Sequence, residues 1–409
     1  MKNRREEMAV HAYSTVPIYK KLLEQNNLEL EDILLPENWE RIPLMEKKNI
    51  VLGGSKTISE NYLALFAMDK LLKTHTSGST GTSLDVFWDM ADYQNSLLPL
   101  WMERWKTARI HPRDRVCFFN TVLENNCQFV FSKNAMIISK SNMDEERLLE
   151  IYGQMEKFAP KWALLHPSMA LLLCDFVERR KVEPISSLEY IELTGEMILE
   201  SLKKRVSETF SCTVRCHYGA MEVSTMGYET GNGRYRLLES STYVEILDDN
   251  GQVLPDGEAG NIYITSLHNH AMPIVRYGIG DCGEIYTEKT DAGTVRYLEL
   301  LRARKNDWVL LPGGKHIMAD MLLKPVEVLN TIYETVVYQV QAIQKGDGKI
   351  QLNVVLDSEF SEEEFIQGYM NILDEKWAKG FLFEFVFHEN LFPAPATGKL
   401  GWFQNELLS

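Results

Sequence analysis

"KWALLHPSMALLLCDFVERRKVEPISSLEYIEL" (residues 161–193) reads as a strand, a helix and a second strand in turn. "WALL" is a short apolar run of strand length. "HPSMALLLCDFVERR" carries apolar residues at helical period behind a Pro-Ser start signal, and "LEYIEL" is strand-like again. The pattern continues outward on both sides. "RVCFFN" is a strand before it, and an amphipathic stretch through Phe210 followed by the strand "TVRCHY" comes after it. Strands alternating with helices call for parallel pairing with helices covering the sheet, which is an α/β architecture.

The texture changes near residue 241. "TYVEILDDNGQVL" and "GNIYITSL" are strands broken by Asp-Asn-Gly and Pro-Asp-Gly turns, so antiparallel structure is expected there. A last segment opens near Arg302, with a linker expected at 302–306. "DWVLLPGGKHI" reads as a hairpin, "PVEVLNTIYE" as a short helix with Pro325 in its first turn, and "VYQVQAIQKGDGKIQLNVVL" as a second hairpin. Ser361 and Glu364 make a capping-box pair for a helix with Phe365, Tyr369, Ile372 and Leu373 on one face. These residues describe a compact C-terminal α+β module.

At 409 residues the chain is long for one domain. Its 45% hydrophobic content describes a globular protein with a large core. A formal charge of −15 sets it against nucleic-acid partners, since an acidic surface repels backbone phosphates. No stretch approaches the roughly 18 apolar residues of a spanning helix. The N-terminus "MKNRREEMAVHAY" lacks the apolar core of a secretory signal. Six scattered cysteines without a Cys-x-x-Cys pair fit reduced thiols, so a cytoplasmic setting is expected. Cys212, Cys216 and His217 lie close together but lack a fourth ligand for zinc.

Several short stretches have chemistry to offer. "TSGSTGTS" (76–83) is not a Walker loop, for no lysine follows Gly81. Its glycines nevertheless let backbone N–H groups converge on an oxyanion, and Thr76, Ser77, Ser79, Thr80 and Thr82 add hydroxyl donors. A plain linker has the same composition. In "HYGAMEV" (217–223), Tyr218 beside Gly219 suits stacking on a base, and Glu222 suits Mg²⁺; a core tyrosine and a solvated glutamate are the alternative. "MPIVRYGIGD" (272–281) ends in a glycine-bounded Asp281, read as a carboxylate on a tight turn that accepts ribose hydroxyls or simply makes the turn. Arg304 stands at the proposed junction, and Lys399 follows a glycine in "PAPATGKLGWF" (393–403).

Taken in order, these motifs resemble those of the adenylate-forming superfamily of acyl-CoA synthetases, luciferases and peptide-synthetase adenylation domains. The compact length, "VPIYKKLLEQ", "IPLMEKKNI", "LLHPSMALLL" and "YIELTGEMI" resemble its phenylacetate–CoA ligase and CapK-like branch, over about residues 10–403. The resemblance implies a large multi-lobed N-terminal domain, residues 1–303, of parallel sheets with helices plus a β subdomain. A small mobile α+β domain, residues 304–409, follows it. It implies ATP-dependent conversion of a small, aromatic or related carboxylic acid to an acyl-adenylate, with release of pyrophosphate, and then acyl transfer to a thiol.

By resemblance, Thr76, Ser77, Gly78, Ser79, Thr80, Gly81 and Thr82 hold the β- and γ-phosphates, with Thr80 counted among the catalytic groups. Gly195 and Glu196 border the adenine, Tyr218 with Gly219 stacks on it, Glu222 binds Mg²⁺, Asp281 takes the ribose hydroxyls, and Arg304 takes the ribose or phosphate. Asn306 falls at the hinge, where the family usually has aspartate, and Lys399 bridges the attacking carboxylate and the α-phosphate. Phe118, Phe119, Asn125 and Phe129 stand opposite the family's acid-pocket segment. The implied cofactors are ATP/AMP, Mg²⁺ and CoA or a pantetheine thiol. An acyl-carrier protein, or an amine or hydroxyl acceptor in polysaccharide or secondary-metabolite biosynthesis, remains open. So does a catalytically silent binding protein of this fold, given Met221 where the family usually has threonine. The oligomeric state is expected to be monomer or homodimer.

Overall fold

The computed structural model describes residues 2–407 apart from 34–35, 77–83, 121–122, 124–126, 142, 232, 292, 305–306, 312–314, 334–335, 347, 374–377 and 395–398. The chain divides into two compact units, one of residues 1–107 and 217–301, the other of 108–216 and 302–409.

In the first unit, helices Lys2–Thr15 and Pro17–Gln25 are followed by the hairpin Leu72–His75 and Asp85–Trp88. An antiparallel sheet has the strand order Thr242–Leu247, Gly260–Ser266, Tyr277–Thr290, Gly293–Arg304, Tyr235–Leu237, Gly227–Glu229. The register Thr242↔Ser266 through Leu247↔Asn261 places Val244, Ile246, Ile262 and Ile264 in the core. Ala12, Tyr13 and Tyr19 of the helices, and Val16 between them, are buried in that same core. Two expectations change here. Residues 302–304 finish the strand Gly293–Arg304, so the expected linker begins inside a strand. Asp281 lies within the strand Tyr277–Thr290, not on a tight turn. The strand absorbs its glycines through a register shift opposite Asn261 and Tyr263, with Gly280 at φ +87°.

The second unit holds the expected parallel sheet. Tyr190–Leu193, Trp162–Leu165, Val116–Asn120 and Ala135–Ser139 run parallel in that order, Thr213–Cys216 pairs parallel with Tyr190–Leu193, and Phe129–Phe131 joins the far edge antiparallel. All four residues of Tyr190–Leu193 are buried, as expected of a strand covered on both faces. Helices Glu145–Phe158, Pro167–Arg180 and Glu200–Phe210 connect the strands. Asp144 caps the first through the Arg147 amide, and Pro167 occupies the first turn of the second.

The C-terminal residues of this unit form the sheet Leu382–Phe387, Lys349–Leu356, Val337–Gly346, Phe403–Asn405, whose central pair is the expected hairpin. Helices Lys324–Ile332 and Glu362–Ile372 belong to it, and Phe365 and Tyr369 pack their rings on Phe385. Ser361 caps the second helix by accepting from the Glu364 amide. The strand pair Trp308–Leu310 and His316–Met318 gives the other expected hairpin, while its Pro312-Gly313-Gly314 tip lies outside the described residues.

Candidate active site

In the first unit, the strand Thr213–Tyr218 ends at Tyr218, whose hydroxyl donates to Asp281 Oδ2 at 2.7 Å. Gly219 follows at a point where a β-carbon would meet the Ser224 carbonyl oxygen at 2.3 Å, so only glycine fits that bend. Glu222 is buried and accepts from the Tyr277 hydroxyl at 3.1 Å, which excludes the solvated-glutamate alternative. Burial raises its carboxyl above the usual glutamate range, against the Tyr277 bond and the Lys47 charge that pull it down. Arg276, which precedes Tyr277, is a structural pin. That side chain is fully buried beside Glu245 at 3.4 Å and donates to the carbonyls of Trp39, Glu40 and Ile42.

Thr76 closes the hydroxyl-rich loop at its base. Its amide donates to the Leu84 carbonyl at 2.9 Å, and the Leu84 amide donates back to Thr76 Oγ1 at 2.8 Å. The loop thus springs from the hairpin Leu72–His75 and Asp85–Trp88. Ser77, Gly78, Ser79, Thr80, Gly81 and Thr82 lie outside the described residues, as do Asn125 and Asn306. Arg304 is the last residue of its strand.

In the second unit, three more candidates converge just beyond the carboxyl ends of the parallel strands, the place where open α/β sheets bind ligands. Gly195 adopts φ +84°, and a β-carbon there would fall 2.9 Å from His166 Cδ2 and 3.5 Å from Lys399 Cε. Glu196 accepts from the Ser168 amide, the Ser168 hydroxyl and the Leu400 amide, each at 2.9 Å. Its carboxylate therefore caps the helix Pro167–Arg180 and also fixes the backbone beside Lys399. Burial raises the Glu196 carboxyl, opposed by those bonds and by Lys140.

Lys140 went unnoticed in the sequence, and His166 and Ser168 were read there only as parts of a helix start and a branch motif. Lys140 Nζ lies 2.8 Å from His166 Nδ1, which must accept whenever the lysine carries its proton. Burial brings the Lys140 amine down to about 8, with Glu196 raising it and Lys399 lowering it. Phe118 and Phe119 sit on the strand Val116–Asn120, with Phe119 buried. Phe129 carries the Arg147 guanidinium 4.2 Å over its ring, a packing role compatible with its place at the sheet edge.

No group of three or more His, Cys, Asp or Glu is gathered for a metal among the described residues. Mg²⁺ takes oxygen ligands and is commonly held by one or two carboxylates plus phosphates and water, a demand that the single carboxylate of Glu222 is able to meet. No helix of the described residues is long and apolar enough to cross a membrane.

A profile of the family described as AMP-binding enzyme matches residues 64–271. The chain is 23% identical over 348 residues to phenylacetate-coenzyme A ligase of Pseudomonas putida, covering 80% of this chain and 76% of that one. It is 21% identical over 411 residues to Protein CapK of Staphylococcus aureus, covering 98% and 87%. A crystal structure of 2-hydroxyisobutyryl-CoA ligase in the postadenylation state superposes with a TM-score of 0.72 at 15% identity, over 99% of this chain and 88% of that one. The multi-lobed α/β fold expected of an adenylate-forming ligase is therefore the fold observed.

Proposed function

The chain belongs to the AMP-binding enzyme family, and from that premise we propose that it activates a small, aromatic or related carboxylic acid with ATP and passes the acyl group to a thiol, most simply that of CoA. The observation that carries this reading is the approach of Lys399 to Gly195 beside Glu196, at the carboxyl ends of the parallel strands. The names of the relatives, phenylacetate-coenzyme A ligase among them, support an aryl acid and a CoA acceptor.

In the first step a carboxylate oxygen bonds to the α-phosphorus and pyrophosphate leaves. Two anions meet, so donors must be in place before charge shifts. Lys399 donates to the carboxylate and the α-phosphate, held in position through the Leu400–Glu196 bond. The segment 76–82 holds the leaving pyrophosphate. Tyr218 stacks on the base while its hydroxyl orients Asp281 toward the ribose, and Arg304 is assigned to the ribose or phosphate by resemblance alone. Mg²⁺ on Glu222 would supply charge neutralisation of the phosphates. In the second step the thiol sulfur attacks the acyl carbonyl, AMP leaves with the bonding pair, and the thiol proton passes to solvent. Residues 1–303 form the nucleotide- and acid-binding part of this scheme and residues 304–409 the part that presents Lys399, with Asn306 at the hinge. A cytoplasmic setting suits both ATP and CoA.

Similarity to CapK along nearly the whole chain favours a second acceptor, a carrier-protein pantetheine, amine or hydroxyl in biosynthesis. The test is ATP–pyrophosphate exchange with hydroxylamine trapping across aryl, alkyl and amino acids. Exchange with at least one acid is expected, together with its loss in Lys399→Ala. ATP binding without exchange for any acid would leave a silent binding protein of this fold.

A further inference from the structure

Two tyrosine–carboxylate bonds cross between the same two segments, 217–223 and 277–281. Tyr218 of the first donates to Asp281 Oδ2 of the second at 2.7 Å, and Tyr277 of the second donates back to Glu222 Oε1 of the first at 3.1 Å. Each segment lends a hydroxyl to the other and receives one on its own carboxylate. The two carboxylates are near enough to repel, Asp281 acting to raise the Glu222 carboxyl and the Lys47 charge to lower it. Without a donor on each, both would turn away from one another.

Tyr277 is itself held from both sides. It is buried and pairs with Ile264 of the strand Gly260–Ser266. Opposite that strand it forms an isolated bridge with Met45, whose amide donates to the Arg276 carbonyl and whose carbonyl accepts from the Gly278 amide, each at 2.9 Å. The Arg276 side chain ties the same point to the carbonyls of Trp39, Glu40 and Ile42. The tyrosine hydroxyl therefore occupies a fixed position, and its bond to Oε1 restricts rotation of the Glu222 carboxylate, whose terminal torsion is otherwise broad.

Resting on the reading of Glu222 as the Mg²⁺ carboxylate above, we propose that Tyr277 is a positioning residue for the metal: its hydroxyl holds Oε1 and leaves Oε2 of Glu222 to the ion. A carboxylate accepts at both oxygens, so the tyrosine and the ion need not compete. Mg²⁺ demands near-ideal octahedral geometry, and a carboxylate oriented beforehand meets that demand without further ordering. Loss of a hydrogen bond that orients a metal-binding group typically costs roughly 10–100-fold in affinity or activity. The Tyr218–Asp281 bond does the corresponding work on the ribose side, so the crossed pair fixes the metal and ribose carboxylates relative to each other.

The test measures ATP binding to the full chain by calorimetry, once in Mg²⁺ and once in EDTA. The ratio of the two Kd values is the metal's share, because base and ribose contacts cancel in it. Wild type is expected to bind more tightly in Mg²⁺, and Glu222→Gln to lose that gain. Tyr277→Phe keeps the ring and removes the hydroxyl, and is expected to cut the gain about tenfold with its Kd in EDTA unchanged. Tyr218→Phe should weaken ATP in both solutions and keep the ratio. A wild-type ratio in Tyr277→Phe, with the gain lost in Glu222→Gln, overturns this inference alone and leaves a core tyrosine. Equal weakening in both solutions by Tyr277→Phe overturns it too, since a loss outside the metal's share is structural. No gain in wild type, or a full gain in Glu222→Gln, overturns the metal reading of Glu222 and this inference with it. Should Tyr277→Phe fail to fold, a structure of the wild-type chain with ATP and Mg²⁺ decides. The ion on Oε2 with Tyr277 still on Oε1 supports the proposal, and the ion on Oε1 or away from Glu222 overturns it.

Discussion

Gly195 lies so close to His166 that a β-carbon on the glycine would sit 2.9 Å from Cδ2 and 3.0 Å from Nε2 of the ring. The glycine is also at φ +84°, where an L side chain is strained. Gly195→Ala is therefore expected to cost about 1–2 kcal/mol in denaturant unfolding. Because the ring must swing away from Lys140, adenylation should fall at least tenfold. Unfolding loss with full exchange activity would show that the His166 position has no bearing on the reaction.

Arg205 joins two parts of the second unit. Its guanidinium stacks 4.3 Å over the Tyr338 ring and pairs with the carboxylates of Asp175 and Glu178, while Tyr338 donates to Asp357. Ser201 and Asn330 lie alongside, both donating to the Val337 carbonyl. Arg205→Ala strands Asp175, whose carboxyl burial already raises, and is expected to cost about 3 kcal/mol in unfolding. Arg205→Lys should recover only part, since an ammonium neither forks nor stacks like a guanidinium. Full recovery by lysine would reduce the contact to simple charge pairing.

What the sequence made legible follows from distance along the chain. The helix Pro167–Arg180 and its flanking strands were readable because periodicity, the Pro at the start and the short apolar runs are all local. Tyr218, Glu222, Asp281 and Lys399 were singled out because each belongs to a short motif whose order is itself a signal. Lys140 carries no such mark, and His166 sits in a branch motif without being singled out. A lone lysine after "AMIIS" and a histidine before a proline become neighbours only through the register of parallel strands, which single-sequence patterns do not fix. Asp281 was misplaced for a related reason. Two glycines within four residues look like a turn, yet here they serve a bulge inside a long strand. Glu196 was proposed from its motif, but its capping of the helix Pro167–Arg180 required the structure.

Stability should depend on pH in two opposed windows. Burial raises the carboxyls of Glu196, Glu222 and Glu245 above their ordinary 4.5, so the folded chain holds these protons longer than the unfolded one. Their contribution is complete below the ordinary value and is lost as pH climbs through the raised one. Lys140 acts the other way. Its folded amine titrates near 8 against an ordinary 10.5, so the unfolded chain binds the extra proton between those values and stability rises with pH there. Each such group contributes at most about 1.4 kcal/mol per pH unit within its window. Urea midpoints measured from pH 5 to 10 should fall and then rise. Glu222→Gln should flatten the first limb and Lys140→Met the second.

Thr76 is the one described residue of the proposed phosphate-holding segment 76–82, and its bonds to Leu84 allow a test of that proposal. The Thr76 hydroxyl accepts from the Leu84 amide across the loop's two ends, while the Thr76 amide and the Leu84 carbonyl close the backbone. Thr76→Val keeps the shape and removes the acceptor, leaving a buried amide short of a partner at a cost of about 1–3 kcal/mol. With the Thr76–Leu84 pairing weakened, part of the nucleotide's binding free energy goes into restoring it. The KM for ATP should therefore rise several-fold in Thr76→Val, the KM for the acid should stay near its wild-type value, and Thr76→Ser should restore the KM for ATP. A rise in both KM values would mean that the clamp supports the whole cleft, whereas an unchanged KM for ATP would separate this loop from the phosphates altogether.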